Sequence, residues 1–478
     1  MKTIKEPNRL SESIAMPKRN SGRAGAMKQI IVSMLLFVFI LSVFTVGSAE
    51  SGNEYIRLAN GVTPEMLCAD YWKPENADDL LMTAEEIAAL EENDLNRMLN
   101  RADSLNAEDL RGVLQNLANL KPEECFLNGK PVTQAYLDNL IENSNLDGID
   151  PAMPLRYGWS VCRASLRALP SNDFLGETAD DLFFDQMVSS DCLPYMPAIV
   201  VHESKDGEWY FAWFYEGGGW IRKENIALCP SRGDWIARQK EESFLVVTGR
   251  EVRLNVDRAC DAISGLLLPM GTKIPLLSQE DAPEHVAGRE NYYSYVVKLP
   301  VRGENGMIED VIALIPMCDD VHAGYLEYTT GNVLKQFFKR LGDRYGWAGL
   351  DYSNDCSGTV REAYRCFGFE LPRNSSNQAQ SALAVSTNVA ESTPEEKLWI
   401  LSETRPGSLL YFPGHIMVYL GMKNDVPFVI SSVGSFATED MEVGTVMSVN
   451  TVAVNSLLVH RRSGKSWLES ITQIVSIA

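Results

Sequence analysis

Histidine is scarce in this sequence, with five in 478 residues, and the nine cysteines include no CxxC pair. The closest two, Cys356 and Cys366, stand ten residues apart. Structural zinc sites are built from close-spaced cysteines and histidines, so neither a metal nor another cofactor is expected. Positive charge is also short: 43 Lys and Arg against 64 Asp and Glu give a net charge of −21. A surface of that sign repels nucleic-acid phosphates and anionic lipid headgroups and excludes both as principal partners. Disorder is excluded as the main state, because 45% of residues are hydrophobic and only 22% charged.

A chain this long exceeds what one hydrophobic core supports, so three or four domains are expected. At the N-terminus, Lys18, Arg19, Arg23 and Lys28 precede an apolar run from Ile30 to Val46, closed by Gly47-Ser48-Ala49. That is the pattern of a secretory signal over residues 1–49, which makes the protein exported, periplasmic or extracellular. The run is long for a signal core and short for a membrane span, so an uncleaved N-terminal anchor fits the same residues. No cysteine follows it to take a lipid. Export permits disulfides, but the odd cysteine count leaves at least one free thiol, and small buried hydrophobes is the simpler reading for most.

Residues 55–150 read as helical. Thr83 is followed three positions later by Glu86, a capping box, and Leu110, Val113, Leu114, Leu117 and Leu120 recur at helical spacing. From 156 to 230 the period changes to two, with apolar runs broken by Lys-Asp-Gly and Gly-Gly-Gly, and a second such stretch covers 243–316. Short strands with frequent turn signals predict two small β-barrels in tandem. The aromatic residues Trp209, Tyr210, Phe211, Trp213, Phe214 and Trp220 are candidates for a groove wall, or, on alternate positions, for core. Residues 325–466 place helices before strands, an α+β order, with a polar stretch near 385–396 read as a loop.

Within that last segment the chemistry concentrates. Cys356 falls where the loop Leu350-Asp-Tyr-Ser-Asn-Asp meets a helix, and a thiol there faces unsatisfied N–H groups that stabilise thiolate and can hold an oxyanion. Cys366, ten residues on, lies at the opposite helix end and reads as structural. His415 opens an apolar strand after Pro413-Gly414, downstream of the cysteine. By itself it is equally a strand-edge histidine; paired with Cys356 it is a candidate general base.

Four motifs carry a family resemblance. They are Tyr345-Gly-Trp-Ala-Gly, Asp355-Cys-Ser-Gly, Leu371-Pro-Arg-Asn-Ser-Ser-Asn-Gln and Pro406-Gly-Ser-Leu-Leu-Tyr-Phe-Pro-Gly-His-Ile-Met-Val-Tyr-Leu-Gly. In this order they resemble the NlpC-type, papain-like peptidoglycan endopeptidases. Upstream, Arg163-Ala-Ser-Leu-Arg-Ala-Leu-Pro and Gly207-Glu-Trp-Tyr are similar to the bacterial SH3-like domain that precedes such catalytic domains, and 243–316 resembles a second. The resemblance implies cleavage of the γ-D-glutamyl–diamino acid bond of wall stem peptides, with Cys356 as nucleophile and His415 as base. It also implies substrate contacts from Tyr345, Asp355, Ser357 and Ser375. Asp355 is equally a helix N-cap, Ser357 a first-turn residue, and Arg373 a turn residue.

Two departures from the family pattern stand out. Where relatives orient the base with a polar residue, usually His, this chain has Val429-Ile430-Ser431, and Ser431 orients an imidazole less strongly. Pro194-Tyr-Met-Pro stands where relatives often have Gly-Glu-Pro, so an acidic contact to a substrate amine is missing at Met196.

Overall fold

The first helices follow from their caps. In the computed structural model, which describes residues 56–215 and 217–477, α1 (Ala84–Ser104) starts at the Thr83–Glu86 capping box. Helices α2 (Ala107–Leu117) and α3 (Gln134–Asn143) are capped by Asn106 and Thr133. The signal or anchor segment expected over 1–49 lies outside the described residues. Leu110 and Leu114 of α2 are buried, on the face that the helical spacing marks as apolar.

Seven strands follow: β1 (Arg156–Ser160), β2 (Ala164–Arg167), β3 (Val188–Cys192), β4 (Pro197–Glu203), β5 (Trp209–Trp213), β6 (Gly218–Arg222) and β7 (Ile226–Leu228). They form one sheet in the order β7-β1-β4-β5-β6-β2-β3. Its edges β7 and β3 do not pair with each other, so the barrel expected over 156–230 is an open sheet. The β7 edge is used elsewhere: Leu228 N–H donates to Gly306 O at 3.0 Å, in the next region. Helix α4 (Arg232–Gln239) links the two. There, β8 (Phe244–Val247), β9 (Lys273–Pro275) and β12 (Val321–Ala323) make a three-stranded sheet, while β10 (Ser294–Arg302) and β11 (Ile308–Pro316) form a separate hairpin. No second barrel closes among the described residues. Pro269 and Pro275 each end a three-residue strand, where a missing N–H stops the ladder. One apolar core, including Leu110, Phe211, Trp220, Trp235, Leu245 and Ile315, runs through the helices and both β regions.

The last region begins with α5 (Thr330–Phe338) and α6 (Cys356–Arg365), followed by α7 (Ser375–Ala379). The stretch near 385–396 is not a loop: β13 (Ala384–Asn388) is a strand and α8 (Pro394–Glu403) a helix. Strands β14 (Leu409–Phe412), β15 (His415–Lys423), β16 (Val426–Phe436), β17 (Met447–Ser456) and β18 (Gln473–Ile477) complete a sheet ordered β13-β18-β14-β15-β16-β17. The polar β13 is a strand because β18, some 85 residues away and past residue 466, pairs with it over five positions. Helix α6 packs on β15 and β16.

A buried ionic lattice joins α6 to the first sheet. Asp191 of β3 accepts from Arg163 Nε at 2.8 Å and from Arg361 of α6 at 2.7 Å. Arg163 also donates to Tyr352 O, Ser353 O and Asn354 Oδ1, and its guanidinium lies 3.3 Å from Glu362. Glu362 in turn pairs with Arg340. Arg163, Asp191, Arg361 and Glu362 are all nearly or wholly inaccessible to water. Gly349 (φ +90°) lets the loop before α6 lie against Asp191, since a Cβ there would sit 2.3 Å from its Cγ. Buried charges of this kind are costly unless each is matched, and losing one partner strands the rest. Asp191→Asn should therefore destabilise the fold by about 3–5 kcal/mol, read as a fall in urea midpoint; a loss below 1 kcal/mol would contradict the lattice.

Candidate active site

Helix α6 starts on Cys356 because Asp355 caps it. The Asp355 carboxylate accepts from Gly358 N–H (2.8 Å), Ala348 N–H (3.0 Å) and Ser357 Oγ (3.1 Å). Arg373 closes the arrangement with two guanidinium contacts, 3.1 Å to Oδ1 and 2.8 Å to Oδ2. Burial raises the Asp355 pKa, but Arg373 and the N–H donors more than offset this and hold it below the usual carboxylate range. Both oxygens are thus occupied inside the protein, which makes Asp355 an N-cap and leaves a substrate amine to compete with these donors. Arg373 is more than the turn residue its position after Pro372 implied, for it also donates to Ser357 Oγ at 3.0 Å.

Strand β15 packs against that helix. The backbone N–H groups of Ser357 and Ile416 act to lower the Cys356 thiol pKa. Ile416 directly follows His415, and Cys356, His415 and Tyr345 line one cavity of about 300 Å³. His415 Nε2 lies 3.1 Å from Ser431 Oγ on β16. The imidazole also packs between Trp467 (ring centroids 4.9 Å) and Phe412 (5.5 Å). When Nε2–H donates to Ser431, Nδ1 is the nitrogen free to take a proton.

Other expected residues stand elsewhere. Ser357 is buried in the Asp355–Arg373 network rather than on the cavity wall. Ser375, the first residue of α7, is half-buried and does not line the cavity. Met196 lines a different cavity, together with Lys273, Arg365 and Glu370, and not the one that Cys356 lines. The aromatic groove wall is absent: Trp209, Tyr210, Phe211, Phe214 and Trp220 are buried core, and Trp213 packs under Arg101. The first sheet instead contributes Phe184, which contacts Tyr345 and Trp347. Phe184 sits in a polar loop with no periodicity to mark it. Arg461, Arg462 and Trp467 enter the cavity from beyond β17, and no motif announced them. All nine cysteines are free.

The electrostatics differ from a preformed thiolate. Burial, then the Asp355 charge, pushes the Cys356 thiol up to about 12, against the two N–H donors. Burial also pulls His415 down to about 4, against the Asp355 charge and with Arg461 acting in the same direction as burial. Both shifts favour the uncharged forms, a thiol and a neutral imidazole, over a standing ion pair. Desolvation has outweighed the helix start.

A helix opening on a cysteine, laid across an antiparallel sheet whose strand opens on a histidine, is the α+β layout of the papain-like class. Residues 342–455 match the model of the NlpC/P60 family, so the chain carries an NlpC/P60 domain there. Among solved structures, the chain is similar to an NlpC/P60 endopeptidase from Photobacterium damselae subsp. piscicida, with TM-score 0.71 and 18% identity over 86% of this chain and 96% of that one. An NlpC/P60 family protein from Bacillus cereus ATCC 10987 aligns at TM-score 0.45 and 16% identity, over 67% and 99% respectively. No curated protein matches the chain.

These protonation states fix a pH response. A thiol with a raised pKa gains its reactive anion only as pH climbs, so iodoacetamide should label Cys356 faster at each step from pH 6 to pH 9. Peptide mapping of the alkylated protein would read this directly, and a rate plateau at pH 5–6 would instead require a preformed ion pair.

Proposed function

We propose that the protein is an exported cysteine peptidase that hydrolyses peptidoglycan stem peptides at the γ-D-glutamyl–diamino acid bond. The observation that carries this reading is that Cys356, at the start of α6, and His415, at the start of the strand α6 packs on, line one cavity. The family match at residues 342–455 supports the peptidase class.

In the proposed reaction Cys356 Sγ attacks the scissile carbonyl while its proton passes to His415 Nδ1. Because burial favours the uncharged forms of both groups, proton transfer and attack are coupled rather than sequential. Backbone N–H groups at the start of α6 stabilise the oxyanion. The C–N bond then breaks as the imidazolium returns the proton to the leaving amine, leaving a thioester on Cys356. Water, deprotonated by His415, hydrolyses the thioester and restores the thiol. Ser431 accepts from Nε2–H and keeps the ring in the tautomer that can take the thiol proton.

A second reading has one observation in its favour. The raised thiol pKa and the weak orienter Ser431 would suit a protein that holds wall peptides without cutting them. Mass analysis of defined muropeptides separates the two. Cys356→Ala should abolish diamino acid release while the melting temperature stays within a few degrees, and turnover equal to that of the unaltered protein would refute the nucleophile. In the same assay, Ser431→Ala should lower kcat roughly tenfold, the worth of one neutral hydrogen bond; an unchanged rate would remove Ser431 from the site.

A further inference from the structure

The cavity beside Cys356 has a charge opposite to that of the molecule. Arg461 and Arg462 are the ionic side chains on its wall, and no carboxylate lines it. On a chain of net charge −21, two adjacent cations facing one cavity are a local reversal of the field. Among the described residues neither is placed in an ion pair with a carboxylate. The Arg461 guanidinium lies over the Phe412 ring at 4.7 Å and donates to Pro413 O at 3.2 Å. That stacking fixes its plane while leaving charge to offer. The buried acid Asp355 has its oxygens committed to Arg373 and the helix cap. The acids Glu439, Asp440 and Glu442 stand exposed on the loop before β17 and do not line the cavity.

The position of the arginines says which half of a substrate they face. Phe412 contacts His415, and Arg461 lies on Phe412, so the guanidinium stands on the imidazole side of the site. A leaving amine must receive its proton from that imidazole and therefore departs towards it. We propose that Arg461 and Arg462 bind a free carboxylate on the residue immediately following the scissile bond, making an acidic leaving residue the preferred substrate class. This inference rests on the thiol-peptidase reading and adds its leaving-side specificity. It also joins binding to chemistry: a bound carboxylate neutralises Arg461, one of the groups that disfavours a proton on His415.

The test uses two peptides that differ only in a side-chain carboxylate or carboxamide on the residue after the scissile bond. Calorimetry with the Cys356→Ala protein reads binding without turnover. The carboxylate peptide should bind roughly tenfold tighter, a preference that shrinks with added salt, since one charge-assisted contact at a partly exposed site gives about that ratio. Adding Arg461→Gln and Arg462→Gln should bring the ratio to about one, while Arg461→Lys with Arg462→Lys should keep part of it. Equal binding of the two peptides, or a preference untouched by the double Gln change, overturns the inference. Hydrolysis by the unaltered protein is read separately. Selective binding without cleavage would uphold the carboxylate site and refute the peptidase reading. Cleavage of both peptides at equal kcat/KM with equal binding would do the reverse.

Discussion

The contact between Asp191 and its arginines is the constraint on which the site depends. Asp191 belongs to an edge strand of the first sheet, yet its carboxylate is shared between Arg163, just before β2, and Arg361 of the helix that begins with Cys356. Arg163 extends the constraint to the backbone of residues 352 and 353 and to the side chain of Asn354. The loop that delivers the cysteine is thus held by a different part of the chain. Such a lattice adds little net stability compared with an apolar core of the same volume, because desolvating each charge cancels most of the attraction. It gives direction instead. Guanidinium forks and carboxylates meet in few orientations, so the helix start has one position relative to the first sheet. The accessory sheet is therefore part of the site's framework as well as a neighbour that supplies Phe184.

The same burial that makes the lattice rigid sets the protonation of the reacting groups. A helix start normally favours thiolate, and the Ser357 and Ile416 N–H groups act in that direction. Against them stand a nearly dry surrounding and the fixed negative charge of Asp355, which the helix needs as its cap. The cap and the nucleophile are in electrostatic conflict, and Arg373 moderates it by holding the carboxylate from the other side. Burial thus favours the neutral thiol and the neutral imidazole, and in the proposed reaction charge develops only as the proton moves. In such a site the charges brought by the substrate matter more than in one with a standing ion pair.

Much of the site could be read along the chain. Asp355-Cys356-Ser357 at a loop-to-helix junction and His415 after Pro413-Gly414 are local patterns, and local rules of capping and strand entry were enough to place them. Ser431 as partner of the imidazole was read from the family resemblance, at the position where relatives carry a polar orienter, and it lies 3.1 Å from His415 Nε2. The barrels did not follow. Alternation marks strands but not which edges meet, and the β7 edge pairs with the Gly306 turn instead of closing its own sheet. The polar strand β13 was illegible for a related reason: its partner β18 lies some 85 residues away, and pairing rather than composition makes it a strand.

By itself the sequence determined the helix caps, the cysteine at a helix start, the histidine at a strand start and the order of regions, because each depends on residues a few positions apart. Tertiary structure alone decided that Arg163 and Asp191 hold the loop before Cys356, that Arg373 engages Asp355, and that Arg461 and Arg462 line the cavity shared by Cys356 and His415. Those relations join residues tens to hundreds of positions apart. A charge in a sequence has no partner until folding brings one near and removes the water between them.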